Sequence, residues 1–164
     1  QLQRELPRLK TFCTLSPIPG FAAWLLADPD FQSLPGLRSK AATEFAQARA
    51  LLAATCDGDL AALRSGSGLH KLGKDDEQAL MSLAAAYLAY GSPTAGGDPV
   101  ARFHLDNGAR LERLNWRGNV SARGLKESFG LMVNYLYDLE KIEASHEKFK
   151  QGEVARSRAV QALM

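Results

Sequence analysis

Leu131-Met132-Val133-Asn134-Tyr135-Leu136-Tyr137 is the stretch that settles between helix and sheet. Along an extended chain Leu131, Val133, Tyr135 and Tyr137 share one face, and Met132, Asn134 and Leu136 share the other. Branched and aromatic side chains in strict alternation specify a half-buried strand. Just upstream, Ser121 to Phe129 reads as a connection with one or two helical turns, and Arg117-Gly118-Asn119 as a turn. Before it, Arg110 to Trp116 alternates as a second half-buried strand. Asp98-Pro99 marks a helix start: the carboxylate can accept from the first free N–H groups, and proline is tolerated at the first helical position. Asn107-Gly108 offers a stop, so the helix carrying Phe103 and His104 is short.

Farther out the pattern becomes helical. A helix is expected over roughly 76–90, capped by Asp75, with Leu80, Leu83, Ala84 and Leu88 as its stripe. Arg64 to Lys74, rich in Gly, Ser and Lys, reads as a surface loop. Residues 39–56 carry Ala41, Ala42, Phe45, Ala48, Leu51 and Leu52 at helical spacing and stop at Asp57-Gly58. Phe21 to Leu26 is a short helix, followed by loop from Pro29 to Gly36. Lys10 to Leu15 is a third strand. It leads into Ser16-Pro17-Ile18-Pro19-Gly20, where two prolines without N–H groups stiffen the turn behind Ser16. Residues 1–6 read as a helix end, and charged helix is expected over 138–164. The order α-β-α-α-α-α-β-(α)-β-α makes this a mixed α/β (α+β) chain. Three strands after a helix already running look like half of a larger sheet. The isolated chain is therefore expected to aggregate or to need a partner, because an unpaired edge and apolar area would remain exposed.

Composition narrows the function. With 46% hydrophobic and 23% charged residues the chain is globular and neither disordered nor collagen-like. A net charge of +2 does not mark a nucleic-acid binder. Between Arg102 and Lys126 basic residues nevertheless prevail: Arg102, Arg110, Arg113, Arg117, Arg123 and Lys126 against Asp106 and Glu112. This stretch either faces an anion or is a solvated face. Cys13 and Cys56 set no disulfide framework and are expected as reduced, partly buried thiols. No secretory signal, lipidation address or membrane span is legible, which points to the cytoplasm. His70, His104 and His146 are too far apart to pair locally, and neither cysteine has a ligand at metal spacing, so no metal site is expected. GxGxxG, P-loop and GxSxG motifs are absent.

Polar residues at element ends remain: Ser16 after the first strand, His104 on the proline-started helix, and Asn115 and Tyr137 in later strands. Each has an ordinary structural role open to it. Ser16 can serve as a turn residue, His104 as a partly buried helix residue and Tyr137 as a core ring with its hydroxyl at the rim.

Phe12-Cys13-Thr14-Leu15-Ser16-Pro17-Ile18-Pro19-Gly20-Phe21 resembles the serine-containing signature of malonyl-CoA decarboxylases. Asp98-Pro99-Val100-Ala101-Arg102-Phe103-His104-Leu105-Asp106-Asn107-Gly108-Ala109 resembles their histidine-containing one. Asn115-Trp116 and Gly130 to Tyr137 follow in the expected order, and the resemblance runs from about Phe12 to Glu140. It implies a GNAT-like catalytic domain, the acetyltransferase-type fold. Residues 1–164 would be its C-terminal part plus helical insertions, with an N-terminal helical domain and the first half of the sheet outside this chain. It also implies decarboxylation of malonyl-CoA to acetyl-CoA and CO2.

In that reaction the thioester carbonyl takes up the electrons left by CO2 as an enolate. The substrate is thus its own electron sink and no separate cofactor is implied, CoA being part of the substrate. The resemblance makes Ser16 and His104 the principal residues. His104 would bond the thioester or enolate oxygen and protonate the carbanion, directly or through water; Ser16 would hold the carboxylate or the thioester oxygen. The two roles can be exchanged. Ser16 as an acyl-accepting nucleophile with His104 as base ranks lower, because decarboxylation needs no acyl-enzyme. Tyr137 would support Ser16 or the carboxylate, with Asn115 and Asn134 behind them. Arg102 and Arg123, and more weakly Arg110 and Arg113, are candidates for the CoA phosphates. Expected partners are malonyl-CoA, the remaining N-terminal part and further copies in a homo-oligomer, with neither nucleic acid nor membrane. Two other readings stand beside this one: a non-catalytic CoA-domain remnant, and a GNAT-type acyl-CoA acyltransferase.

Overall fold

The alternation in the chain becomes one small antiparallel sheet in the computed structural model, which describes residues 9–164. Strands β1 (Thr11–Pro17), β2 (Arg110–Asn115) and β3 (Met132–Asp138) lie in the order β1-β3-β2. The most regularly alternating segment is therefore the central strand. Its Val133, Tyr135 and Tyr137 are buried, while its even-numbered residues are half-exposed. Ser16 pairs with Val133, Thr14 with Tyr135 and Phe12 with Tyr137. In β2 the register shifts between Leu111 and Arg113. That extra residue lets Leu111 and Leu114, three apart, both point into the core.

Eight α-helices are described: α1 (Phe21–Leu26), α2 (Ser39–Thr55), α3 (Gly66–His70), α4 (Lys74–Ala86), α5 (Pro99–Asp106), α6 (Ala122–Ser128), α7 (Ile142–Lys150) and α8 (Arg158–Gln161). Short 3-10 turns cover Phe31–Ser33 and Leu60–Arg64. α4 does not stop at Ala86 but widens into a π-helical turn, Tyr87–Gly91. The core gathers around Phe21, which meets Phe129 edge-on at 5.8 Å and also touches Trp24 and Tyr87.

Several elements differ from the sequence expectation. β1 continues through Ser16 and Pro17, so Ser16 belongs to the strand rather than to the turn after it. Proline is tolerated there because β1 is an edge strand among the described residues and Pro17 is its last residue. The expected loop at 64–74 contains α3. Its Gly68 serves close packing rather than a turn: a Cβ there would meet the Ala62 carbonyl oxygen. α4 is capped by Gly73, whose N–H donates to Asp76 at 3.2 Å, so Asp76 rather than Asp75 completes the cap. The expected helix over 138–164 is broken. α7 ends at Gln151-Gly152, where Gly152 takes φ +87°, a left-handed conformation that suits glycine. The chain then runs beside β2 through the Leu111–Arg156 bridge before α8. Both cysteines are free, but Cys13 is exposed rather than partly buried. The helix end expected over residues 1–6 lies outside the described residues.

The turn behind Ser16 is anchored by Ile18, which is fully buried between its two prolines. Ile18→Val removes one methylene from a closed site and is expected to cost about 0.5–1.5 kcal/mol. Denaturant unfolding of the full-length protein measures this; an unchanged midpoint would show that the turn is not held by its side chain.

Candidate active site

Strand parity puts Phe12, Thr14 and Ser16 on the same face of the sheet as Tyr137, Tyr135 and Val133. α5 brings His104 to that face. Its start is the Asp98-Pro99 cap seen in the sequence: Asp98 Oδ1 accepts from Val100 N–H at 3.0 Å and Ala101 N–H at 3.2 Å. Its end is Asn107-Gly108, where Gly108 has φ +90° and a Cβ would run into Ile142.

His104 is held between two hydroxyls. Nδ1 lies 2.6 Å from the Tyr137 hydroxyl, and Nε2 lies 3.4 Å from Ser16 Oγ. The imidazole stacks on the Tyr135 ring at 4.5 Å with 21° between planes. Tyr137 in turn stacks on Phe12 at 4.9 Å and 9°. Ser16 Oγ sits 2.9 Å from Thr14 Oγ1. Each polar group is thus backed by an aromatic ring or a neighbouring hydroxyl, which limits its rotation. Ser16 and Tyr137 are buried and His104 is half-buried.

Burial also sets the charges. It holds the His104 pKa below the ordinary histidine value, favouring the neutral ring, and it pushes the Tyr137 phenol up, favouring the un-ionised hydroxyl. Tyr135, deeper in the core, is raised more strongly, by burial first and then by the charge of Asp98. Among the described residues its hydroxyl has no hydrogen-bond partner.

Three residues the sequence singled out, Ser16, His104 and Tyr137, are therefore brought together. Asn115 and Asn134 are not. They lie on the opposite face of the sheet, where Asn115 Nδ2 donates to Asn134 Oδ1 and Asn134 Nδ2 donates to the Thr14 carbonyl, both at 2.9 Å. They brace the strand that carries Ser16 from behind rather than touching its hydroxyl. Arg102 turns its guanidinium to the carbonyls of Ser92 and Thr94. Arg123 pairs with Glu127 one turn along α6, and Arg110 pairs with Glu112. Thr14 and Tyr135 were missed, although each stands two residues from a chosen one and so shares its face. Among the described residues no cluster of three or more His, Cys, Asp or Glu side chains is arranged to hold a metal, and no helix is long and apolar enough to cross a membrane.

A family model described as the malonyl-CoA decarboxylase C-terminal domain matches residues 1–164. A goose (Anser anser anser) protein named malonyl-CoA decarboxylase, mitochondrial, is 40% identical over 148 residues, covering 85% of this chain and 29% of the relative. The crystal structure of malonyl-CoA decarboxylase from Cupriavidus metallidurans superposes with a TM-score of 0.74 at 35% identity, covering 99% of this chain and 40% of that one. The corresponding Agrobacterium vitis structure gives 0.67 at 42% identity, with 99% and 37% covered. The chain thus spans less than a third of the goose relative and about two fifths of these solved chains.

Proposed function

Since the chain belongs to the malonyl-CoA decarboxylase C-terminal domain family, we propose that it carries the reacting face of an enzyme that releases CO2 from malonyl-CoA and leaves acetyl-CoA. The observation that carries this reading is the imidazole of His104 placed between Tyr137 and Ser16. An imidazole nitrogen accepts better than a phenol oxygen, and a phenol donates better than an imidazole N–H. The Tyr137 hydroxyl therefore donates to Nδ1, and the single ring proton sits on Nε2, facing Ser16 and the open side. Nε2–H is then a donor for a thioester oxygen that gains charge as the C–CO2 bond breaks.

The proton that must reach the carbanion follows the same line. Nε2 gives its proton to carbon, directly or through water, while Nδ1 takes the Tyr137 proton. The ring ends neutral with its proton on Nδ1; that proton returns to the Tyr137 oxygen as Nε2 takes a new one from solvent, which restores the starting tautomer. With the Thr14 hydroxyl donating to its oxygen, the Ser16 hydroxyl can donate to the malonyl carboxylate or the thioester oxygen. Its 3.4 Å distance from Nε2 is longer than a nucleophile–base pair needs, and the Nε2 proton points the wrong way for a base. This supports the hydrogen-bonding role over the acyl-enzyme. The substrate's own carbonyl accepts the electron pair, so the reaction is assigned no separate cofactor.

The finer fold reading is that this sheet is one part of a GNAT-like, acetyltransferase-type sheet. It is supported by the unpaired edge of β1 among the described residues and by the exposed Leu15 on its outer face. CoA phosphates would then be held largely by residues beyond this chain, because Arg102 is engaged by the Ser92 and Thr94 carbonyls and Arg123 by Glu127. Assembly of several copies and a cytoplasmic location complete the proposal; the goose relative, by contrast, is named mitochondrial.

The test is CO2 release from malonyl-CoA by the full-length protein, with acetyl-CoA measured alongside. Equal amounts of both are expected; acyl transfer to an amine without CO2 would replace this reading with the acyltransferase one. Tyr137→Phe deletes one neutral hydrogen bond and the proton supply behind Nδ1. It should lower kcat about 3- to 10-fold, the equivalent of about 0.5–1.5 kcal/mol. Because burial depresses the folded His104 pKa, the neutral ring persists as pH falls past the ordinary histidine value of about 6.5. The acid limb of kcat/KM should accordingly lie below that value. The unfolded chain binds this proton more readily than the folded one. The stabilising contribution is thus present above the unfolded pKa and lost as pH falls through the folded pKa. Comparing wild type with His104→Gln over that range isolates the contribution.

A further inference from the structure

Asp98 does more than cap α5. It is 1% exposed, and its two carboxylate oxygens face different parts of the fold. Oδ1 takes the N–H groups of Val100 and Ala101 at the start of the His104 helix. Oδ2 takes the Gly20 N–H at 2.9 Å and lies 3.5 Å from the Tyr87 hydroxyl. Gly20 is four residues beyond Ser16, across Pro17-Ile18-Pro19. The prolines fix two of the intervening φ angles, so this link is stiff and a shift at Gly20 is carried back to Ser16. On the other side a helix carries any shift of the cap to His104, six residues along. One buried carboxylate therefore ties together the backbones behind Ser16 and His104.

The space around the tie is closed. A Cβ on Gly20 would come within van der Waals overlap of the Tyr87 hydroxyl and 3.2 Å from Asp98 Oδ2. The same hydroxyl contacts both partners, so Tyr87 limits how the turn can move toward the helix.

We propose that Asp98 is a positioning residue for the decarboxylation, setting the separation of Ser16 and His104 through the Gly20 N–H, with Tyr87 as its stop. The proposal rests on the decarboxylase reading for its activity assay, but the positioning itself has an independent readout.

Asp98→Asn separates the two functions of the side chain. The amide oxygen still caps α5, but the amide NH2 faces the Gly20 N–H, donor against donor. Asp98→Ser keeps a good cap and is too short to reach Gly20. In the full-length protein both are expected to lower kcat about 10- to 100-fold, the scale of a displacement of about 1 Å at a reacting group. KM for malonyl-CoA should stay within about threefold. The His104 ring nitrogen resonances, assigned by their loss in His104→Ala, should shift in both variants, because the Ser16 contact at Nε2 changes. A residue needed only for folding would instead lower the yield or melting temperature and leave kcat per folded molecule and the ring shifts unchanged. That result overturns the proposal.

A second pair covers the case in which both Asp98 variants fail to fold. Gly20→Ala pushes the turn against the Tyr87 hydroxyl and should reduce kcat. Adding Tyr87→Phe removes the colliding oxygen and should restore at least half of the lost activity; no restoration overturns the proposal as well. If the wild-type protein releases no CO2, the decarboxylase reading fails, and the ring nitrogen shifts alone decide the positioning.

Discussion

His104→Ala is expected to lower CO2 release from malonyl-CoA by at least about 10³-fold, with the fold intact. On the proposed mechanism two functions leave with the ring. One is the Nε2–H donor to the developing enolate oxygen, and losing one such donor costs about 10²–10³ in kcat. The other is the proton delivered to carbon, a function worth about 10²–10⁴. Both act through one side chain, so the losses overlap rather than multiply. The imidazole is half-buried near the end of α5, with Tyr135 stacked on one side, and its removal opens a gap beside Tyr137. His104→Gln is the informative companion: an amide nitrogen can still donate to the oxygen but cannot pass a proton to carbon. It should recover part of the oxygen stabilisation and none of the proton delivery. A His104→Ala enzyme within tenfold of wild type would remove His104 from the reaction.

Ser16→Ala is the second large effect, a loss of about 10²–10³-fold in kcat, the cost of one well-placed donor. The distinction lies in what remains. As a donor, Ser16 leaves behind an enzyme that still forms acetyl-CoA slowly and never carries an acyl group. As a nucleophile it would pass through an acyl-serine, visible by mass spectrometry after rapid quench of the wild type. The long Ser16–His104 contact and the Thr14 hydroxyl at 2.9 Å predict that no such adduct forms. Ser16→Thr keeps the hydroxyl on a strand position that favours branched side chains, and it should retain more activity than Ser16→Ala.

Much of this site was legible because strands and caps obey simple parity. Alternation in Leu131–Tyr137 put Tyr137 and Tyr135 on one face and Asn134 on the other, and the sheet keeps that division. The same rule already separated Asn134 from Tyr137, so support from behind was the only contact it could give. Asp98-Pro99 located α5 to the residue because a capping carboxylate before proline has few other uses. The link from Asp98 to Gly20 was not legible, since it joins residues 78 apart in sequence and leaves no local pattern. The tail was misread because Glu and Lys support helix wherever they fall. Its path is set instead by Gly152 and by burial of Val154 and Val160, which draw the chain against β2. Gly68 misled in the opposite direction: glycine usually suggests a turn, yet here it lets α3 lie against the Ala62 carbonyl.

The π turn at Tyr87–Gly91 makes chain length itself a constraint. In an α-helix each residue advances the direction of a side chain by about 100° and its height by about 1.5 Å. Every residue from Leu83 to Ala89 is buried, so this stretch has no solvent side on which an error of phase could be absorbed. Loss of one residue between Tyr87 and Gly91 would restore a regular helix and swing everything after it by that angle. The Tyr87 hydroxyl would then no longer face Asp98. The number of residues separating these two is thus as much part of the site as their identities. At the Gly152 turn, by contrast, a Cβ would meet no atom within 4 Å, so side-chain packing sets no such limit there.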